Sequence, residues 1–195
     1  MLVADAQREV RTAFVGGFMG QLVSGLLWLA SAALATWGTP RQAITLLVVG
    51  GFFIFPSTQL GLKLLGQAGG LSRENPLRWL AMQVAFTLPL SLPVVGGAAL
   101  HRLEWFYPAF MIVLGAHYLP FVFLYGMRMF AALCAILVGG GFWLATRGPQ
   151  VFSLGAWVTA AVLFLFAALG WLAVAGEIRA QPATTTRSRP PDLAL

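Results

Sequence analysis

The sequence FMIVLGAHYLPFVFLYGMRMF, residues Phe110–Phe130, decides the fold class of this chain. It is long and apolar enough to cross the roughly 30 Å hydrocarbon core of a bilayer as a helix. Its second half nevertheless contains His117, Tyr118, Pro120 and Tyr125. An ionisable side chain is costly in hydrocarbon and normally faces a protein interior or a water-filled cavity. The stretch therefore predicts a membrane-spanning helix with one face turned toward other helices.

The composition of the whole chain also indicates a protein that lies in a membrane. Of its 195 residues, 59% are hydrophobic and 9% are charged, whereas soluble domains contain about 25% charged residues. Lipid rather than water is therefore the expected main solvent, and the lipid bilayer is the first expected partner. The formal net charge is +6, but the basic residues stand singly between apolar runs, so that no nucleic-acid binding is expected.

Six apolar runs predict an all-α bundle of six transmembrane helices. They cover residues 13–37, 42–62, 77–100, 105–125, 129–146 and 151–176, and together form a transmembrane domain over residues 13–176. Residues 1–12 form a polar segment before it, and residues 177–195 form a tail predicted to be disordered because it is rich in Pro, Thr and Arg. Prolines could split or tilt the second run, at Pro56, and the third run, at Pro89 and Pro93.

Two runs are preceded by helix-start signals. Thr39 before Pro40, and Asn75 before Pro76, each place a capping side chain next to a proline. The first run also contains Ala30-Ser31-Ala32, which resembles a signal-peptide cleavage site. That run is much longer than the roughly 7–15 apolar residues of a signal peptide, so a retained helix is favoured.

The distribution of basic residues predicts the orientation. Nine of them fall in the N-terminal segment, the second and fourth loops and the tail: Arg8, Arg11, Lys63, Arg73, Arg78, Arg128, Arg179, Arg187 and Arg189. The other three loops contain only Arg41, Arg102 and Arg147. Cytoplasmic loops carry the excess of Lys and Arg. The bias predicts a multi-pass protein of a bacterial cytoplasmic membrane with both termini in the cytoplasm.

Polar side chains recur in the predicted inner halves of the first four helices. They are Gln21, Ser24, Gln59, Gln83, Thr87, His117, Tyr118 and Tyr125. At about 1.5 Å per residue, Gln21, Gln83 and His117 all fall roughly 4–10 Å to the cytoplasmic side of the bilayer centre. We therefore predict a cytoplasm-facing polar pocket centred on His117 that could bind a small molecule. The alternative is a histidine satisfied by hydrogen bonds between packed helices.

The residues needed for most catalytic chemistry are missing from the predicted spans. All the acidic residues fall in loops or tails: Asp5, Glu9, Glu74, Glu104, Glu177 and Asp192. The single cysteine, Cys134, lies in an apolar run, and no CxxC or Cys/His metal spacing occurs. Paired carboxylates and metal-ligand motifs are the usual parts of hydrolytic and proton-coupled sites. Neither an enzyme nor a cofactor nor a bound metal is therefore expected.

Small residues at four-residue spacing in the first run predict close helix packing. Gly16, Gly20 and Ser24 form a ridge that lets a neighbouring helix approach closely. The neighbour could belong to the same chain, to a second copy or to another membrane protein. A structural or partner-binding membrane component is therefore the alternative to a protein that binds or moves a small molecule.

Three stretches carry a resemblance to a known family: GGFMGQLVSGLLWL (Gly16–Leu29), FPSTQLGLKLLG (Phe55–Gly66) and GAHYLPFVFLYGM (Gly115–Met127). In these stretches the chain resembles an uncharacterised, domain-of-unknown-function family of bacterial polytopic membrane proteins. The resemblance spans about residues 8–171 and excludes the tail. It implies a helical membrane protein with no established activity, so it assigns no catalytic residues.

Overall fold

Helices make up most of the backbone in the computed structural model, which describes residues 1–67 and 69–179. Within these residues nine α-helices follow one another: α1 (Val3–Ala13), α2 (Phe18–Trp37), α3 (Pro40–Gly51), α4 (Ile54–Leu64), α5 (Leu77–His101), α6 (Phe106–Tyr118), α7 (Phe121–Tyr125), α8 (Met129–Thr146) and α9 (Leu154–Arg179). The described part of the chain contains no strand. The all-α prediction is therefore confirmed, while nearly all of the tail predicted to be disordered lies outside the described residues.

Five helical segments are long and apolar enough to cross a membrane. They are Val15–Trp37, Leu77–His101, Leu103–Tyr125, Met129–Thr146 and Leu154–Glu177. Helices α3 and α4 pass the same test together, although the chain bends by 60° between them. The structure is thus a polytopic helical bundle of five spans, or of six when the bent pair is counted as one.

The second predicted span is bent just before its proline, as was expected to be possible, whereas the prolines of the third span do not break its helix. The bend in the second span lies between α3 and α4, where the amides of Phe52 and Phe53 bond to carbonyls three residues earlier. Pro56 lies in the first turn of α4, where a missing N–H has no helical partner to lose. Helix α5 runs unbroken through Pro89 and Pro93.

The predicted helix starts have the expected caps. Thr39 and Gln42 form a reciprocal capping box at the start of α3, with Pro40 in the first turn. The Asn75 side chain accepts a hydrogen bond from the Leu77 amide at 2.9 Å, at the start of α5. Both caps bond amides that have no partner within their own helix.

The first span is separated from α1 by a sharp turn. Val15, Gly16 and Gly17 have φ angles of 51°, 61° and 85°, so three consecutive residues adopt the left-handed conformation. Glycine adopts this conformation without strain, whereas a β-branched residue rarely does. The polar segment before the first span is therefore a helix in its own right, and it meets α2 at an angle.

Helix α2 lies at the centre of the bundle and packs against α3, α4 and α9. Helix α6 packs against α8 on one side and α5 on the other. The two halves meet where Trp28 of α2 contacts the rings of Tyr107 and Phe110 of α6. The opposite side of α5 is open, and exposes apolar side chains that suit contact with lipid: Phe86, Leu90 and Val94.

Candidate functional site

Four aromatic side chains form a cluster where α6, α7 and α8 meet. The rings of Tyr118 and Phe130 stack with their planes at 15°, and the ring centroids of Tyr125 and Phe130 lie 5.0 Å apart. Phe121 completes the set, with its centroid 5.3 Å from that of Tyr118. Both tyrosines are buried, with exposures of 5% and 6%. We call these four residues the aromatic cluster.

Helix α2 runs antiparallel to α6 and α7 and faces the aromatic cluster. A Cβ atom at Gly17 would lie 3.2 Å from the Phe130 ring and 3.9 Å from Cζ of Tyr125. Two turns beyond Gln21, Trp28 packs on Phe110, with 5.2 Å between the ring centroids. These two contacts fix the register and place Gln21 at the level of Tyr118.

The side chain of Gln21 is the most unusual group in this region. It is 2% exposed, and neither its amide nitrogen nor its amide oxygen has a hydrogen-bond partner among the described residues. Leaving a buried polar group without a partner costs about 1–3 kcal/mol. Buried polar groups are therefore nearly always paired, and an unpaired one calls for an explanation.

Further polar groups surround the same part of α2. Ser24, one turn after Gln21, is also buried. The hydroxyl of Thr58, on α4, is buried without a partner in the described structure and faces Gly20. We call Gln21, Ser24, Tyr118 and Tyr125 the polar centre.

His117 lies at the edge of this region, between α6 and α5. Its Nδ1 atom is 2.7 Å from the Thr87 hydroxyl, and that hydroxyl also donates to the Val84 carbonyl at 2.7 Å. Because a hydroxyl has one proton, Nδ1 of His117 is assigned as the donor to the Thr87 oxygen. The ring also contacts Tyr118 and Phe121. His117 therefore joins α5 to the aromatic cluster. This agrees with the alternative prediction of a histidine that is satisfied by a hydrogen bond between packed helices.

The two remaining predicted residues lie away from the polar centre. Gln83, on α5, is exposed. The amide oxygen of Gln59 lies against Gly69, in the loop between α4 and α5. The structure thus joins His117 to Thr87, and places Gln21 of α2 at about the level of Tyr118.

Two glycines of the predicted small-residue ridge pack against other helices of the same chain. Gly16 lies before α2 and is so close to the Gly170 carbonyl of α9 that a Cβ atom would be 2.5 Å from its oxygen. Gly20 faces Thr58 of α4 at 4.0 Å. An interface with a second chain through this ridge stays a prediction.

Helix α1 covers the end of the bundle next to the polar centre, and sequence reasoning missed it as a helix. The Gln7 amide donates to the Phe123 carbonyl at 2.6 Å. Arg11 donates to the Tyr125 carbonyl at 2.8 Å and forms an ion pair with Glu177 at 3.1 Å. The signal that could have revealed this helix is the spacing of Ala6 and Val10, which are four residues apart and fully buried.

A second set of polar contacts ties α1 to the loop before α5. The Glu9 carboxylate accepts hydrogen bonds from the Ser72 hydroxyl at 3.1 Å and from the Asn75 side chain at 2.9 Å. It also accepts one from the Ser72 backbone amide. Partial burial raises the pKa of Glu9, but these hydrogen bonds to the charged form outweigh it, so the net pKa is lowered.

The described residues contain no group of three or more His, Cys, Asp or Glu side chains placed to hold a metal ion. A family model described as a family of unknown function (DUF7010) matches residues 3–173. The chain belongs to this family. The match includes α1 as well as the membrane-spanning helices, and it confirms the resemblance to an uncharacterised family. No curated protein and no solved structure matches the chain.

Proposed function

We propose that this protein is a multi-pass protein of a bacterial cytoplasmic membrane that binds a small uncharged molecule at the polar centre. The observation that carries the proposal is Gln21, whose amide is buried with both of its polar atoms unpartnered in the described structure. A primary amide offers two donors and an acceptor. A bound molecule with matching groups would remove the cost of burying them.

The surroundings of Gln21 favour an uncharged ligand. Charged residues of the spans stand at their ends, such as Lys63 in the last turn of α4 and Glu177 near the end of α9. A charge buried without a partner is far more costly than a buried amide. The aromatic cluster next to Gln21 supplies a flat apolar wall. The ligand class that fits is an apolar or ring-bearing molecule with adjacent carbonyl, hydroxyl or amide groups.

Gln21 takes the central place in this proposal that the sequence assigned to His117. The hydrogen bond from His117 to Thr87 commits its Nδ1 to holding α5 in place. Its contacts with Tyr118 and Phe121 nevertheless link it to the wall of the site. His117 therefore supports the site in this proposal and lines only its edge.

The orientation is part of the proposal. The excess of Lys and Arg in the loops on the α1 side supports cytoplasmic termini. The polar centre would then lie in the cytoplasmic half of the membrane, one to two turns above α1. Reporter fusions at the C-terminus, and at Arg147 in the last predicted outer loop, test this. If a reporter that works only in the cytoplasm is active at the Arg147 fusion and inactive at the C-terminal fusion, the proposed orientation is wrong.

The test of the site measures whether water and small solutes reach Ser24. In a Cys134→Ala background, Ser24→Cys is labelled with a membrane-impermeant maleimide in inside-out and right-side-out vesicles in parallel. Arg73→Cys, in an exposed loop, is the reactive reference, and Ala160→Cys, which replaces a residue that is 1% exposed, is the dry reference. A Ser24→Cys rate between the two references is expected.

The outcome separates the two function classes. A Ser24→Cys rate equal to that of Ala160→Cys would mean a sealed bundle and would sink the proposal. The structural or partner-binding alternative would then be favoured. If the rate is intermediate, small carbonyl-containing compounds can be screened for protection of Ser24→Cys against the maleimide.

A further inference from the structure

The contacts of α1 are polar and are made to three separate parts of the chain. Gln7 and Arg11 bond to carbonyls at the end of α7, Arg11 pairs with Glu177 of α9, and Glu9 bonds to the loop before α5. The last carbonyls of a helix have no helical partner, so a cation and an amide from α1 satisfy them. The helix therefore bridges the end of α7, which contains Tyr125 of the polar centre, the end of α9 and the loop before α5.

The end of α7 is shaped to receive α1. Gly126 ends α7 in the left-handed conformation, with φ of 64°. A Cβ atom at this position would lie 2.7 Å from Oε1 of Gln7 and 3.3 Å from Nη1 of Arg11. The positive φ favours glycine here, and a larger residue would also displace the ends of the Gln7 and Arg11 side chains. Tyr125, whose carbonyl accepts from Arg11, is itself a member of the polar centre.

The connection between α1 and α2 has the geometry of a hinge. Val15 has a φ of 51°, a conformation that is strained for a β-branched residue. It is followed by Gly16 and Gly17, for which left-handed and right-handed conformations are about equally accessible. Gly17 is also the residue of α2 that contacts the aromatic cluster. A rotation at Val15 would relieve strain and move α1 away from the end of α7.

We propose that α1 is a lid over the polar centre, which turns at Val15–Gly17 and is latched by Arg11. The latch consists of the ion pair of Arg11 with Glu177 and its hydrogen bond to the Tyr125 carbonyl. The inference rests on the proposed function, because a lid controls access only if the polar centre takes up a ligand. Few fully buried apolar side chains, chiefly Ala6 and Val10, hold α1 in place. Helices with few buried apolar contacts open locally most easily.

Two reporter cysteines test the lid in the full chain with Cys134→Ala. Thr12→Cys replaces a residue of α1 that is 5% exposed, and it reports whether the lid lifts. Ser24→Cys reports whether the polar centre becomes accessible. Each reporter is combined with Glu177→Gln, with Arg11→Gln and with Glu104→Gln. The last is the matched control, because Glu104 lies at the other end of the bundle, before α6.

The expected result is a parallel rise of both labelling rates. Glu177→Gln should raise them about two- to fivefold, as for the loss of one partly exposed ion pair. Arg11→Gln should raise them about tenfold, because it removes the bond to the Tyr125 carbonyl as well. Glu104→Gln should change neither rate. The charge swap Arg11→Glu with Glu177→Arg should restore part of the protection, which an unfolded variant would not do.

Two other outcomes overturn the inference, and they differ from each other. If Ser24→Cys reacts faster than Ala160→Cys in the parent but neither reporter responds to the latch variants, the proposed function stands and α1 is a fixed anchor. If Thr12→Cys responds while Ser24→Cys stays at the Ala160→Cys rate throughout, α1 moves over a sealed bundle. That second result would overturn the proposed function together with the lid.

Discussion

Replacing Gln21 by methionine should stabilise the ligand-free protein. The substitution keeps the length and nearly the volume of the side chain while removing both polar atoms. Gln21 is 2% exposed, and neither polar atom has a partner in the described structure. Most substitutions of buried residues destabilise, by about 0.5–3 kcal/mol. A gain in stability at a fully buried position is therefore an unusual and specific expectation.

The magnitude follows from the cost of the unpaired amide. A buried polar group left unsatisfied costs about 1–3 kcal/mol, and its replacement by an apolar group of the same shape removes that cost. Volume-conserving exchanges in a core usually cost less than about 1.5 kcal/mol through imperfect packing. Subtracting that packing cost from the gain gives a net change for Gln21→Met between about −0.5 and 3 kcal/mol, centred on a stabilisation of roughly 1 kcal/mol.

The assay is the free energy of unfolding of the purified protein, from reversible denaturation in mixed micelles. Gln83→Met is the matched control: Gln83 is exposed on α5, so the same chemical change should alter the free energy of unfolding by less than about 0.5 kcal/mol. A loss of more than about 1 kcal/mol for Gln21→Met would refute the reasoning, because it would show that the amide is already paired in the ligand-free protein.

Three further predictions concern packing and the N-terminal helix. Tyr107→Phe should cost about 0.5–1.5 kcal/mol in the same unfolding assay, because it removes the buried 2.7 Å hydrogen bond to Ser31; an unchanged free energy would contradict this. Gly16→Ala should cost more than about 2 kcal/mol, because its Cβ would meet a carbonyl oxygen at positive φ, whereas Gly97→Ala, with open space around it, should cost nothing. The lowered pKa of Glu9 stabilises the docked α1 above pH 4.5, and this contribution is lost as the pH falls through the lower folded-state pKa; hydrogen-exchange protection of α1 should fall there, and Glu9→Gln should make that fall smaller.

Much of the fold could be predicted because apolar length and helix caps are local properties. The fifth predicted span, residues 129–146, coincides with α8, Met129–Thr146. Thr39 and Asn75 cap the helices that they were expected to start. The bend in the second span was placed near its proline but lies a few residues earlier, between α3 and α4. A proline clashes with the carbonyl four residues earlier, which for Pro56 is that of Phe52, so the bend falls before the proline rather than at it.

The candidate site was predictable only in part. The sequence selected Gln21 through its depth, which depends only on position along a helix of known rise, and selected Ser24 and the two tyrosines as polar side chains at helical spacing in the same half of their helices. It could not tell which faces of different helices meet. Gln83 has the same predicted depth as Gln21, yet α5 packs on α6 alone among the long helices and leaves Gln83 exposed. The depth of a side chain in the membrane follows from its position along one helix. Which neighbouring helix that side chain faces depends on how several helices pack.

The sequence by itself determined that this is an all-helical, membrane-spanning chain, because a run of about 20 apolar residues can satisfy its backbone in lipid only as a helix. Only the tertiary structure decided that Gly17 of α2 packs on Phe130 of the aromatic cluster, that His117 is bonded to Thr87, and that α1 closes the end of the bundle. Those contacts join residues up to 166 positions apart, as in the pair of Arg11 with Glu177. They depend on the angles at which helices pack, and no local pattern in the sequence specifies those angles.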